Sequence, residues 1–192
     1  MNHPDYEARI KINKDFLHYM SARHSCEELA SLIINSPKFS ECSGSSSPNK
    51  HHYGTGGLIQ HTTEVVNLCE QVSSELGFNT TFQQELFLAA LYHDIGKIYD
   101  YHFDIDKWVT TTHKRRIHHI SRSAQIWLEN SNKFKDQFPR IKEVQDSILH
   151  AILAHHGSKE AGSPITPDTK LAWILHLCDG LSARCNDTED LR

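Results

Sequence analysis

The stretch "FQQELFLAALYHDIGK", residues 82–97, decides how this chain folds. Phe82, Leu86 and Ala89 recur at helical spacing on one face, and His93 is the next position on that face. An apolar stripe therefore ends in an imidazole followed directly by the carboxylate of Asp94. Such groups are costly to bury unless they are paired or bound to a metal. The pattern predicts an inward-facing helix with a chemical site at its C-terminal end.

Helical periodicity continues on both sides. In "LIQHTTEVVNLCEQVSSEL" (58–76) the apolar positions Val65, Cys69, Val72 and Leu76 form a second stripe, with Gly77 as a C-cap and "NTT" (79–81) as the next N-cap. Residues 5–20 and 25–35 read as two short helices. The Ser- and Gly-rich "SECSGSSSPNKHHYGTGG" (40–57) reads as a loop, either a mobile linker or part of a pocket wall. "IYDYHFDIDKWVTTT" (98–112) has the aromatic and β-branched character of a small hairpin or irregular excursion. Three more helices are expected at 115–130, 140–156 and 168–185, the last two separated by the Pro- and Gly-bearing loop "GSKEAGSPITPD" (157–168). The expected fold class is all-α, a helical bundle with at most one small β-hairpin.

Composition narrows the function classes. The 192 residues suit one domain able to hide roughly 70% of its unfolded surface. With 20 Lys+Arg against 24 Asp+Glu, the net charge of -4 disfavours a generalist nucleic-acid coat protein while permitting a local basic groove. Five cysteines without a CxxC pair indicate neither a disulfide framework nor a thiolate zinc site, and read as reduced thiols. No signal-peptide core or membrane-length apolar run is present, so a cytoplasmic protein without a membrane partner is expected. Fifteen histidines stand out, mostly neutral at neutral pH and so in the form that binds metals.

These histidines converge in pattern. His61 extends the stripe of Val65 and Cys69; His93 and Asp94 end theirs; His119 neighbours Ile117 and Ile120. His155 extends Val144, Ile148 and Ile152 with His156 beside it, and Asp179 lies between Cys178 and Leu181. Any one of them alone would read as a hydrogen-bonded core residue. Five helices each presenting His or Asp inward would bury too many unpaired groups unless cations satisfy them.

In order along the chain, "HHYGTGGLIQHT" (51–62), "LYHDIGK" (91–97), "HHIS" (118–121), "LAHHGS" (153–158) and "LHLCDGLSAR" (175–184) resemble the HD-domain metal-dependent phosphohydrolases. The likeness is greatest to the HD domain of YhaM-type 3′→5′ exoribonucleases. It spans roughly residues 50–186, which suggests a division into short N-terminal helices and a polar loop at 1–50 and an HD domain at 51–192. The resemblance implies one ion held by His61, His93, Asp94 and Asp179, with Asp94 bridging to a second held by His119, His155 and His156. His118 is left exposed or structural, and His176, three residues before Asp179, reads as a supporting or plain core histidine.

The implied cofactors are one or two divalent ions. Imidazole-rich sites favour Mn, Fe, Ni, Co or Zn over Mg. Paired ions activate water for in-line attack on a phosphoester. Asp94, Lys97 and His52 are the expected catalytic groups, Lys97 as a fixed cation for phosphate and His52 as a proton donor to the leaving group. His51, Arg115, Arg116, Arg122 and Lys159 join Lys97 and His52 as expected substrate-binding residues, with Lys114 in the same basic cluster. The expected substrate is a nucleotide or short single-stranded nucleic acid, because the nucleic-acid-gripping OB-fold domain of YhaM-type enzymes has no counterpart here. The sequence also admits a nucleotide-binding or regulatory HD module without turnover, an HD domain in conjugative DNA processing, and an interaction protein with coincidental histidines. HDIGK instead of HDxxED, and the lack of a GYP segment, speak against the alarmone-hydrolase and HD-GYP branches.

Overall fold

The computed structural model describes residues 5–50, 52–136 and 140–185. Its helices are α1 (Asp5–Arg23), α2 (Glu27–Ile34), α3 (Pro37–Glu41), α4 (Gly57–Glu75), α5 (Thr80–Tyr92), α6 (Lys97–Asp100), α7 (Thr112–Arg116), α8 (His119–Phe134), α9 (Ile141–Ala154) and α10 (Lys170–Arg184). Strands β1 (Tyr101–Asp104) and β2 (Lys107–Thr110) pair antiparallel between α6 and α7, with Phe103 opposite Trp108. Among the described residues the fold is all-α apart from this hairpin.

The opening stretch becomes the axis of the molecule. Asn79 caps α5 by accepting from the Phe82 backbone N–H. From Leu86 to Tyr92 every residue of α5 is buried, not only the predicted stripe, because the helix is packed on by α4, α9, α10, α8 and α2. A helix apolar all round belongs in the middle of a core. Where Tyr92 and Trp127 of α8 meet edge to face, both polar ends are satisfied: the Tyr92 hydroxyl donates to the Leu29 carbonyl and Trp127 Nε1 to the Gln145 carbonyl.

Leu17, Met20, Leu29, Ile33, Ile34 and Phe39 of α1–α3 belong to the same core as α4, α5, α9 and α10. Helices α1–α3 are therefore packed into the bundle. The Ser/Gly loop is equally tied down: the buried Ser43 hydroxyl accepts from the Gly54 N–H, and the Gly44 N–H donates to the His52 carbonyl. It forms a wall, not a mobile linker.

The predicted helix at 115–130 is in fact two helices, α7 and α8, broken at Ile117–His118. His118 takes a left-handed φ of 69°, uncommon for a non-glycine residue. The excursion at 98–112 is a two-stranded hairpin, as one of the two expected alternatives. All five cysteines are free thiols; four are buried and Cys185 is exposed. Among the described residues no helix is long and apolar enough to cross a membrane.

Candidate metal centre

The C-terminal ends of α5 and α9, the start of α8 and the inward faces of α4 and α10 meet at one point. His61 Nε2 lies 3.3 Å from Asp94 Oδ2 and 3.0 Å from Asp179 Oδ1. His93 Nε2 lies 3.4 and 3.7 Å from the same two oxygens. These four residues form one group whose ligand atoms lie within 4.8 Å of one another, and His119, His155 and His156 form a second. Asp94 joins them: its Oδ1 is 3.3 Å from His119 Nε2 and 3.7 Å from His155 Nε2. One carboxylate thus turns an oxygen to each group.

Hydrogen bonds on the far side of each ring fix which nitrogen faces inward. His93 Nδ1 donates to the Ala90 carbonyl at 2.7 Å and His155 Nδ1 to the Ile152 carbonyl at 2.7 Å, each inside its own helix turn. His61 Nδ1 lies 3.0 Å from the Ser182 hydroxyl, which itself donates to Glu64 Oε2 at 2.9 Å, so His61 is the donor and its Nε2 carries the lone pair. His119 Nδ1 is held by Asp100 Oδ2 at 3.1 Å. Every one of these Nε2 atoms is presented as a ligand.

The site is built for positive charge. Burial disfavours a charged His93, yet Asp94 and Asp179 outweigh it and raise its pKa to about 10. Burial would also raise Asp94 and Asp179; Lys97 and His93 hold the first, and His61 and His93 the second, well below the usual carboxylate range. In the second group burial dominates, keeping His119 (about 3) and His156 (about 4) neutral. Asp94 Oδ1, His119 Nε2 and His155 Nε2 are buried and have no hydrogen-bond partner among the described residues. Three converging orphans of this kind cost several kcal/mol unless something satisfies them, on the order of 1–3 kcal/mol each. The neutral imidazoles of His119 and His156 beside two ionised carboxylates fit a divalent cation, more readily a transition metal than Mg.

The centre opens into a cleft of about 330 Å³ lined by Lys50, His52, Lys97, Tyr101, Lys114 and His118, among others. Lys97 Nζ is 2.5 Å from Asp94 Oδ2. Burial opposes its charge, and Asp94 outweighs that, holding the ammonium above the usual lysine range. Lys114 donates to the Tyr101 hydroxyl at 2.9 Å and sits over that ring. His52 Nε2 meets Glu64 Oε2 at 2.9 Å. Burial would raise Glu64, but bonds from His52, Gln60 and Ser182 bring it down to about 2.

The predicted site residues divide accordingly. The seven expected ligands fall into the two groups, and Lys97 and His52 line the cleft. His51 lies outside the described residues. Arg115, Arg116 and Lys159 are exposed and do not line the cleft, because the inner side of short α7 is taken by His113 and Lys114. Arg122 is not brought to the cleft either: Nε donates to His113 Nε2, NH1 to Gln125, and the guanidinium stacks over Tyr99. His118, read as exposed or structural, lines the cleft. His176 Nδ1 donates to the His155 carbonyl, and Gly157, at φ 88°, leaves room for that ring against its Cα.

Sequence reasoning passed over Glu64, Ser182, Asp100 and His113. For Glu64 a signal existed, since it follows His61 by three residues and shares its side of the helix. Asp100 and His113 had none.

No solved structure matches the chain. A family model described as HD domain matches residues 58–184, from the first turn of α4 to the end of α10. The match covers both ligand groups and most of the chain, and that family is in general one of metal-dependent phosphohydrolases: this chain belongs to the HD-domain family.

Proposed function

We propose that the protein hydrolyses phosphoester bonds of nucleotides or nucleic-acid ends, in the manner of a phosphodiesterase or 3′→5′ exonuclease, with one or two divalent transition-metal ions. Manganese is the proposed first choice, and the YhaM-type sequence likeness motivates the nucleic-acid end. The observation that carries the reading is Asp94, which offers Oδ2 to His61 and His93 and Oδ1 to His119 and His155, the atoms of the second set having no hydrogen-bond partner among the described residues.

When bound, the ions supply Lewis acidity and make a water nucleophilic near neutral pH. The chain's own residues do the rest. Asp94 and Lys97 place a fixed ammonium at the cleft floor, where it meets a phosphate oxygen. Lys114, steadied by Tyr101, supplies a second cation to the same phosphate. His52, anchored on Glu64, is assigned to protonate the oxygen that leaves as the phosphorus–oxygen bond to the alcohol breaks. Neutral His119 and His156 line the cleft without adding charge. The small cleft favours a terminal phosphate or a short strand over a long duplex.

The test is elemental analysis of the purified protein, followed by Mn²⁺-supplemented assays on bis-p-nitrophenyl phosphate, p-nitrophenyl phosphate, nucleotides and short single strands. Bound metal with release of alcohol or nucleotide is expected. Metal-loaded protein that releases nothing from any of these would refute the hydrolytic reading and leave a binding module.

A further inference from the structure

Asp100 closes α6 and is completely buried, yet it holds no ligand position in either group of the centre just described. Both of its carboxylate oxygens are spent on N–H donors. Oδ1 accepts from His113 Nδ1 at 2.6 Å; Oδ2 accepts from the backbone N–H of His119 and from His119 Nδ1, each at 3.1 Å. Asp100, His118 and His119 also come within ligand distance of one another, but three N–H donors already hold this carboxylate.

The tautomers in this chain of contacts are fully determined. Arg122 Nε can only donate, so His113 Nε2 accepts at 3.1 Å and the His113 proton sits on Nδ1, facing Asp100. His119 donates through Nδ1 to Asp100, so its Nε2 carries a lone pair; that atom is buried, without a partner among the described residues, and 3.3 Å from Asp94 Oδ1. Asp100 has a second task at the same point. His118 gives α8 no side-chain cap, and the first N–H of that helix, on His119, is taken up by Asp100 across the hairpin.

We infer that Asp100 is a positioning residue for the second metal position, holding His119 in the ligating tautomer and direction, and that His113 and Arg122 act only by holding Asp100. The inference rests on the metal-centre reading above. A carboxylate behind a ligating imidazole raises its basicity and fixes its ring, and loss of such a partner typically weakens metal binding by about 10–100-fold. The break between α7 and α8 then has a purpose: it turns the His119 backbone N–H and ring towards the same oxygen. Arg122 contributes to the site while touching no substrate.

The decisive experiment titrates Mn²⁺ into metal-free wild type, Asp100→Asn, His113→Ala and His113→Asn by calorimetry, with the melting temperature of each metal-free protein in parallel. Wild type is expected to take up two ions. Asp100→Asn should weaken one of the two by about 10–100-fold and leave the other within about twofold. His113→Ala should do the same to a smaller extent, and His113→Asn, whose amide N–H can stand where Nδ1–H stood, should restore affinity. If Asp100→Asn fails to fold, the two His113 variants decide. Both ions bound as in wild type by Asp100→Asn and His113→Ala, or both ions weakened equally, would overturn the inference. Wild type that takes up no second ion would remove it together with the two-ion reading, and activity with a single ion would then show that hydrolysis itself survives.

Discussion

The two ligand groups around Asp94 are built by different means. In the first, His61 and Asp179 sit on the inward faces of α4 and α10 while His93 and Asp94 follow the last turn of α5, and their atoms lie close together, with His61 Nε2 and His93 Nε2 3.3 Å apart. In the second, His119 and His155 stand at helix ends and reach towards Asp94 with nitrogens that no described group satisfies. Two of the four residues of the first group come from helix faces, whereas all three of the second stand at helix ends, His119 there held by Asp100. A ligand on a helix face is as well placed as the core behind it, whereas one at a helix terminus is only as well placed as the bonds that hold that terminus.

The largest effect should follow removal of what the groups share. Asp94→Ala takes an oxygen from each and leaves Lys97 without its partner. Hydrolysis is expected to fall by about 10³-fold or more, and stability of the metal-free protein, measured by urea unfolding, by about 3–5 kcal/mol, as for other broken buried pairs. Retention of two ions by this variant would dissolve the idea of a bridging carboxylate.

Next in size are substitutions that separate the groups. His61→Ala should lose one ion and His119→Ala the other, each read as metal per chain by elemental analysis. If either variant lost both ions, the two groups would act as one.

A smaller effect is expected at Glu64, which reaches His61 through Ser182 and also holds His52. Glu64→Gln should weaken the first ion by about 10-fold. The pH dependence of stability follows the same residue. Its folded pKa of about 2 lies below an unfolded value of about 4.3, so its contribution is present above pH 4.3 and is lost as pH falls through that value towards 2. The stability difference between wild type and Glu64→Gln should therefore be widest near pH 6 and shrink below pH 4. A difference that grew on acidification would contradict the assignment.

The smallest effects belong to the exposed cations. Arg115→Ala, Arg116→Ala and Lys159→Ala should change KM for a small phosphoester by less than about twofold and stability by no more than about 0.5 kcal/mol. Lys114→Ala, by contrast, should raise KM, since Lys114 faces the cleft. A tenfold KM change in any of the three would show that the substrate extends beyond the cleft.

The legibility of these features tracks how local their causes are. His61 with Val65 and Cys69, or His155 with Ile148 and Ile152, could be read from spacing, because helical geometry puts such residues on one face. The break before His119 could not, because its cause is a carboxylate 19 residues away that replaces the missing cap. By composition the Ser/Gly loop could be a mobile linker or part of a pocket wall, and the buried Ser43 hydroxyl fastens it as a wall. Arg122 looks like a phosphate ligand by charge alone, and His113 and Tyr99 claim it instead.

By itself the sequence determined the helical class, the inward faces and the identity of the groups that would meet there, since all of these follow from periodicity and the cost of burying charge. Only the tertiary structure decided which oxygen of Asp94 faces which group, that Glu64 and Asp100 stand behind the imidazoles, and which cations face the cleft. Those outcomes depend on the direction in which each side chain leaves its helix and on what stands opposite, and neither is encoded in spacing along the chain.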